Sequence, residues 1–273
     1  MTDAASVGAA RFGWTVLLPV KVLARAKSRL AVLAGPRRCE LALALASDTV
    51  SAVVACPEVA RVIVITSDRV AGPRLAGLGA IVVADIGDGR QDAGLDGPGG
   101  PGPLSGADML SQEGLNAALR HGAAIAARRW PGTGLAALTA DLPALRPAEL
   151  GAALRAAAAA TTTSGAGGAG SAGSAGGADG AGGAGGAGRS AFVPDAAGVG
   201  TTLYAVPPGG DFRPAFGGAS RMRHAAAGAI ELALDDAPGI RQDVDTPADL
   251  RAALALGAGH RTTAVAVKLL ADA

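Results

Sequence analysis

Residues Thr15–Leu30 read TVLLPVKVLARAKSRL, and this stretch decides how the N-terminal part of the chain folds. Its apolar run, Val16–Val20, has the length of a buried strand. Four cations follow within nine residues: Lys21, Arg25, Lys27 and Arg29. In α/β proteins such a loop lies at the carboxyl end of a parallel strand, where its cations can bind phosphate. A solvated turn carries similar residues, so the segment alone leaves both interpretations open.

The composition argues against several classes of protein. Hydrophobic residues make up 49% of the 273 residues but aromatic residues only 3%, so the core must be mainly aliphatic. Lys and Arg total 24 against 23 Asp and Glu, and the formal net charge of +1 gives no reason to expect binding to nucleic acid or to a membrane surface. Cys39 and Cys56 lie in no metal-binding pattern and indicate a reducing compartment.

The localisation follows from two absent sequence signals. Residues 1–12 lack the apolar core and the small-residue cleavage site of a secretory peptide. No apolar run approaches the length of a transmembrane helix. We therefore expect a cytoplasmic protein.

The first third of the chain alternates strands and helices. The apolar pattern predicts strands at about 14–19, 59–67 and 79–84, separated by a long amphipathic helix over 37–56 and a short helix over 73–78. This β-α-β-α-β order favours an α/β fold with a mostly parallel central sheet and right-handed crossovers.

The same pattern continues with less regularity towards the C-terminus. The further elements are expected as a helix at about 115–130, a strand at 135–139, a helix that begins at Pro147, strands at 191–194 and 203–206, a helix that begins at 216–220, a last strand at 240–244 and a final helix at 248–256.

Two tracts cannot contribute to a core, because they consist mainly of Gly, Pro, Ser and Ala. They cover about 87–113 and 161–189, and we expect both to be loops. The second contains a formal GxGxxG at 165–170, but it lacks the strand before it and the helix after it that a dinucleotide site needs. We therefore predict a single domain over 12–257 that contains these loops, with tails at 1–11 and 258–273.

Three carboxylates follow predicted strands. They are Asp141, Asp243 and Asp245. Because parallel strands end at one edge of a sheet, these acids can converge on the basic loop, and the two that are two residues apart would share a face. Acids beside a phosphate site repel one another unless a cation lies between them, and Mg²⁺ binds through carboxylates and substrate phosphates. The alternative is that these Asp side chains only satisfy turns.

Two further segments combine Gly with hydroxyl side chains. GVGTT at 198–202 and FGGAS at 216–220 can each present backbone N–H groups and a side-chain hydroxyl to an anion. Arg223 and His224, in the helix after the second segment, could add positive charge. Ordinary hairpin and helix-capping chemistry would produce the same residues at either segment alone.

Taken in order, the motifs PVKxLxxAKSRL, DTV, IVITSD, GLN, ADLPAL, GVGTT, FGxxSxxRH and DVDTPxDL resemble the guanylyltransferase family of coenzyme F420 biosynthesis. The resemblance runs from Val16 to Leu256. Enzymes of that family attach GMP to phosphoenolpyruvate or 2-phospho-L-lactate. The resemblance implies a Rossmann-like nucleotidyltransferase fold of three layers, similar to the GT-A fold of the sugar-nucleotide transferases.

The resemblance also implies a nucleotide-binding set. Lys21, Lys27 and Arg29 match the basic loop of the family and would bind the triphosphate of GTP. Asp68 and Asn116 match positions near the nucleoside. Lys27 and Arg29 are also expected to act in catalysis, where they would stabilise the pyrophosphate that leaves.

For the metal and the acceptor, the resemblance implies two further sets. Asp141 and Asp243 match magnesium-binding acids, with Asp245 beside them, and Asp141 is also expected to be catalytic. The residues that match the phosphoenolpyruvate pocket are Thr201, Gly217 and Ser220. The expected cofactor is therefore Mg²⁺.

Several alternatives stay open in the sequence. The bacterial-looking composition favours phosphoenolpyruvate over 2-phospho-L-lactate as the acceptor. A related nucleotidyltransferase with another phosphorylated acceptor would more often carry a Gly-rich first loop of the type LAGGxSxRMG. A non-catalytic GTP-binding module would not need acids at two separate strand ends. The expected partners are GTP and a small phosphorylated acceptor, without nucleic acid or membrane, and a homo-oligomer is compatible with the sequence.

Overall fold

The computed structural model describes residues 12–85, 112–162, 188–234 and 236–271. Its strands are β1 (Trp14–Pro19), β2 (Val59–Ile65), β3 (Ile81–Val83), β4 (Gly134–Leu138), β5 (Ala191–Pro194), β6 (Thr201–Val206) and β7 (Ile230–Glu231). Its α-helices are α1 (Ala31–Ala34), α2 (Arg38–Val54), α3 (Ala71–Ala76), α4 (Gln112–Arg129), α5 (Pro147–Thr162), α6 (Ser220–Ala226), α7 (Pro238–Arg241), α8 (Pro247–Ala255) and α9 (His260–Ala271). Short 3-10 turns occupy Leu23–Arg25, Ser28–Leu30 and Gly35–Arg37.

The described strands form one sheet in the order β3-β2-β1-β4-β6-β5-β7. β1, β2, β3 and β4 run parallel to one another. β6 is antiparallel to both of its neighbours, whereas β5 and β7 are parallel. The predicted α/β fold with a mostly parallel sheet and the predicted β-α-β-α-β order are therefore confirmed.

Helices cover both faces of the sheet and produce three layers. Successive strand residues point to opposite faces, so Leu18 packs in a core with residues of α2 and α5, whereas Leu17 and Ile65 pack with residues of α4. Gly122 of α4 lies so close to the sheet that a Cβ atom there would be 3.0 Å from the Ile65 side chain. The sheet is thus buried on both sides, as parallel sheets usually are.

The predicted strand at 240–244 is wrong. Pro238 starts a short helix, α7, which ends at Arg241, and the segment that follows is irregular. Proline is favoured in the first turn of a helix because it has no N–H to leave unsatisfied. The N–H of Val244 then donates to the carbonyl of Asp141, 3.1 Å away, rather than to a neighbouring strand. The two-residue strand β7, which was not expected, is too short to show an apolar pattern.

The predicted tail at 258–273 is also wrong for 260–271. These residues form α9, and Val265 and Leu269 pack in one core with Leu41 and Leu45 of α2. The apolar residues of α9 lie at helical spacing in the sequence, so the pattern itself indicates an amphipathic helix here. The C-terminal helix is therefore part of the packed structure.

Several sequence expectations lie outside the described residues. These are the tail at 1–11, most of the loops at 87–113 and 161–189, and the GxGxxG at 165–170. The expected loops extend slightly too far, because residues 112 and 113 belong to the start of α4 and residues 161 and 162 to the end of α5. None of the helices in the described ranges is long and apolar enough to span a membrane.

Asp48 of α2 connects α9 to the body of the protein. Its buried carboxylate accepts the N–H of Thr262 at 2.7 Å and pairs with Arg261 at 3.3 Å. We predict that Asp48→Ala lowers the free energy of unfolding by about 2–3 kcal/mol, because it leaves a helix N–H without its charged acceptor. The exposed pair of Glu40 and Lys268 joins the same two helices, so Glu40→Ala is the matched control and should cost at most about 1 kcal/mol. Equal losses in urea unfolding would contradict this role.

Candidate functional site

A cleft of about 610 Å³ opens at the edge of the sheet where β1 and β4 end. Most of its lining comes from parts of five segments: 19–29, 138–141, 200–201, 216–220 and 243–245. Because β6 runs antiparallel to β4, its first residue reaches the same edge as the end of β4. Ligands of α/β proteins bind outside the carboxyl ends of such strands.

The basic loop after β1 is fixed by two side chains from other elements. Asp68, after β2, accepts the N–H of Leu23 at 2.8 Å, and Arg38 at the start of α2 donates to the carbonyls of Ala24 and Ala26. Within this loop Lys27 adopts the left-handed conformation, with φ of 53°. A non-glycine residue pays conformational energy for that backbone, so the surroundings must hold it there.

Lys27 lies between two of the predicted acids. Its Nζ donates to Asp141 and, at 2.8 Å, to Asp245. Burial alone would lower the pKa of Lys27, but the attraction of Asp141 and then of Asp245 raises it above its ordinary value. Burial would likewise raise the pKa of Asp245, and Lys27, aided by Arg29 and Lys21, lowers it instead. Lys27 is therefore a permanent cation at the centre of the cleft.

Asp243 completes the acidic side. The bond from the N–H of Val244 to the carbonyl of Asp141 brings Asp243 and Asp245, the two neighbours of Val244, next to the loop that follows β4. Burial, and then repulsion from Asp141, Asp245 and Asp195, raises the pKa of Asp243 to about 7, while Lys27 opposes the rise. The prediction that the acids from two distant segments converge on the basic loop is confirmed by their shared cleft.

The donor chemistry around Asp141 fits a hard divalent cation. The Oδ1 atom of Asp141 is buried and has no hydrogen-bond partner, while Oδ2 binds Lys27. Carboxylate oxygen is the ligand that Mg²⁺ prefers, and excess negative charge near Asp243 favours a cation. In the described part of the chain, however, no group of three or more His, Cys, Asp or Glu side chains is arranged to hold a metal ion. Any such ion would be held by Asp141 and Asp243, with Asp245 still paired to Lys27.

The opposite wall of the cleft begins with a turn organised by Asp195. Its carboxylate accepts the N–H groups of Val199 at 2.9 Å and Gly200 at 2.8 Å. A Cβ atom at Gly200 would lie 2.4 Å from the Asp195 carboxylate, so only glycine fits this close approach. The turn delivers Thr201, which is buried, to the start of β6.

The fully buried His224 of α6 holds two parts of this wall together. Its Nδ1 is 3.0 Å from the hydroxyl of Thr201, and its Nε2 accepts the N–H of Ala215 at 2.9 Å. Burial, and then the nearby Arg223, lowers the pKa of His224 to about 4. The sequence-based suggestion that His224 adds positive charge is therefore wrong, because the ring is neutral at ordinary pH.

The glycine loop 216–220 is held by its backbone. The side chain of Asn116 accepts the N–H of Phe216 at 2.9 Å and donates to its carbonyl at 3.1 Å. Arg223 donates to the carbonyls of Ala215 and Gly217. Gly217 has φ of 99°, which glycine adopts without strain. Gly217 and Ser220 both line the cleft.

Two residues predicted to lie near the nucleoside do not line the cleft. Asp68 accepts three backbone N–H groups, from Leu23, Val70 and Ala71, and Asn116 is bonded to the backbone of Phe216. In both cases the side chain fixes a loop that does line the cleft. The other predicted site residues line it directly: Lys21, Lys27, Arg29, Asp141, Thr201, Gly217, Ser220, Asp243 and Asp245.

Sequence reasoning missed three supporting residues. Arg38 and Asp195 hold the two loops described above. The third, Thr49 of α2, accepts the N–H of Leu142 at 2.9 Å and so fixes the chain next to Asp141. The DTV motif contained this threonine, but nothing in the sequence assigned it a partner in the loop after β4.

Comparison with known proteins gives close relatives along nearly the whole chain. The phosphoenolpyruvate guanylyltransferase of Thermomonospora curvata is 49% identical over 260 residues, which are 95% of this chain and 91% of that one. The enzyme of the same name from Streptomyces coelicolor is 50% identical over 258 residues, 94% and 97% of the two chains. No family model matches the chain.

Among solved structures, a putative nucleotide-diphospho-sugar transferase from Desulfovibrio desulfuricans is similar at a TM-score of 0.48 and 14% identity, over 89% of this chain and 96% of that one. The relatives, together with a cleft in which cations face acids, identify this protein as an enzyme of the nucleotidyltransferase class. Within that class, the chain belongs to the phosphoenolpyruvate guanylyltransferase family. The resemblance seen in the motifs is thus confirmed.

The buried neutral His224 makes stability depend on pH. An unfolded histidine binds a proton near pH 6.5, whereas the folded one does so only near pH 4, so the unfolded state binds more protons between these values. We predict that the free energy of unfolding falls by about 2 kcal/mol more from pH 7 to pH 5 in the wild type than in His224→Asn. Denaturant unfolding at both pH values measures the difference, and parallel losses in the two proteins would contradict it.

Proposed function

We propose that this protein transfers GMP from GTP to phosphoenolpyruvate and releases pyrophosphate, as a step of coenzyme F420 biosynthesis. The names of the relatives support these substrates. The observation that supports the proposal is that one cleft is lined both by a charged set of side chains and by a set rich in Gly and hydroxyl groups. Charged side chains form one wall and backbone N–H groups with hydroxyls form the other, which suits a triphosphate facing a small phosphorylated acid.

The nucleotide would lie against the charged wall. Lys21, Lys27 and Arg29 are the cations that would bind the triphosphate oxygens. Mg²⁺ held by Asp141 and Asp243 would neutralise phosphate charge and help the α-phosphorus accept a nucleophile. Lys27 already contacts the acids, so it can stabilise the leaving pyrophosphate without a large movement.

The acceptor would lie against the uncharged wall. The Thr201 hydroxyl, the backbone at Gly217 and the hydroxyl of Ser220, the first residue of α6, can each donate a hydrogen bond to a phosphate or carboxylate oxygen. Phosphoenolpyruvate and 2-phospho-L-lactate both carry these two anionic groups. The geometry therefore supports the acceptor class, and the relatives' names favour phosphoenolpyruvate.

The reaction requires little proton transfer from the protein. An oxygen of the acceptor phosphate would attack the α-phosphorus of GTP in line, and the bond from that phosphorus to the bridging oxygen would break to release pyrophosphate. Because the attacking oxygen is already anionic, the residues serve to position the two reactants and to offset their mutual repulsion.

The direct test measures pyrophosphate release by purified protein with Mg²⁺. GTP, ATP and CTP are each combined with phosphoenolpyruvate, with 2-phospho-L-lactate or with no acceptor. The proposal requires release that depends on both GTP and phosphoenolpyruvate. Faster release with 2-phospho-L-lactate would reassign the acceptor, and GTP binding without any release would favour a non-catalytic module.

The most direct test by substitution is a change at Asp141. Asp141→Asn keeps the size of the side chain but removes the charge that attracts Lys27 and a divalent cation. We predict a loss of turnover of about two orders of magnitude or more, the scale of one preorganised electrostatic contact. Asp211→Asn is the control, because that exposed Asp pairs with Arg213 and does not line the cleft. Near-normal turnover of Asp141→Asn at an unchanged melting temperature would contradict the assignment.

A further inference from the structure

The hydrogen bonds of His224 determine which of its ring nitrogens carries the proton. The N–H of Ala215 can only donate, so the Nε2 atom 2.9 Å away must accept. A neutral imidazole has one N–H, which must then be on Nδ1. This histidine is therefore the Nδ1–H tautomer.

The tautomer in turn determines the direction of the Thr201 hydroxyl. Nδ1–H donates to the Oγ1 atom of Thr201, 3.0 Å away, so this oxygen acts as the acceptor in that bond. A hydroxyl has one proton to donate, and here that proton is not used by the histidine. Thr201 lines the cleft. Its hydroxyl proton can therefore be directed to a ligand.

The surroundings keep the ring fixed and neutral. Tyr204 stacks on the ring at a centroid distance of 4.6 Å, and Phe192 and Phe216 lie at 5.7 and 5.5 Å. A charged ring would lose its hydration in this aromatic environment, and its repulsion by Arg223 would add to the cost. Because both ring nitrogens are hydrogen-bonded, the imidazole cannot flip without breaking two hydrogen bonds.

We propose that His224 is a positioning residue for the acceptor: it holds the Thr201 hydroxyl as a hydrogen-bond donor towards the anionic group of the acceptor. The opposite tautomer would make Thr201 donate to the histidine and present oxygen lone pairs to an anion, which would repel it. This inference rests on the proposed function for the identity of the acceptor. In this role His224 acts through Thr201 and does not contact the substrate itself.

Two substitutions distinguish the roles of the two ring nitrogens of His224. In His224→Asn the side-chain amide can replace Nδ1 and still donate to Thr201, whereas in His224→Gln it can replace Nε2 and accept only from Ala215. We expect His224→Gln to raise the KM for phosphoenolpyruvate roughly tenfold, the effect of losing one directed bond to an anion, with the KM for GTP unchanged. His224→Asn should raise it less than about threefold. Equal effects of the two variants, or equal effects on GTP, would overturn the proposal.

A double-mutant cycle tests whether His224 acts through Thr201. Thr201→Val removes the hydroxyl at nearly constant shape, so adding His224→Gln to it should change the KM for phosphoenolpyruvate by less than about twofold. If the two effects multiply instead, His224 acts independently and the proposal fails. Melting temperatures of all variants are measured to exclude partial unfolding.

A third readout does not need catalysis. Nitrogen-15 spectra of the imidazole should show a neutral Nδ1–H ring that is absent from His224→Gln, and a neutral Nε2–H ring would overturn the proposal. Phosphoenolpyruvate should also raise the melting temperature of the wild type and of His224→Asn more than that of His224→Gln. If these results hold but no pyrophosphate is released, the proposed function fails while the inference stands. If the reaction proceeds normally but the variants do not differ, the inference about His224 fails while the proposed function stands.

Discussion

The site depends on one ion-pair arrangement, in which the Nζ of Lys27 lies between Asp141 and Asp245. The three residues come from the loop after β1, the loop after β4 and the turn before α8, so this contact joins distant parts of the chain. Removing Lys27 would leave the largely buried carboxylate of Asp141 without its cation, which is costly. The arrangement also keeps acids and cations close before any substrate binds. In the proposed reaction, phosphate groups would therefore meet charges that need little reorganisation.

The charged residues are held by a second set of residues, which do not line the cleft themselves. Asp68 and Arg38 fix the basic loop, while Thr49 and Val244 fix the chain on either side of Asp141. Each contact joins a loop to a helix or to another loop through backbone groups. A side chain on a loop is only as well placed as its backbone, so these bonds determine how accurately the cations and acids face each other.

The sequence predicted most of the fold and the composition of the site, because both follow from local patterns. Apolar runs indicate β1 and β2, and the rule that parallel strands end together brings Lys27 near Asp141. It could not separate an Asp that lines the cleft from one that binds backbone, since the residue type is the same; Asp68, which accepts three backbone N–H groups, is the example. The neutrality of His224 depends on Ala215 and on aromatic rings that are distant in sequence. The helix at 238–241 was missed because Ile240 and Val244 are as compatible with a strand as with a helix and loop.

In the proposed reaction the two walls of the cleft would bind anions by different physical means, and this difference explains why their backbones are held differently. A point charge such as Lys27 attracts from many directions and tolerates small displacements. A hydroxyl or backbone N–H attracts only along its bond, so a wall built from Thr201 and Gly217 works only if it is rigid. This requirement accounts for the dense bonding around that wall by Asn116, Arg223 and Asp195. In the proposed reaction, an uncharged wall would also discriminate against the triphosphate, because its directed donors select for shape rather than for total charge.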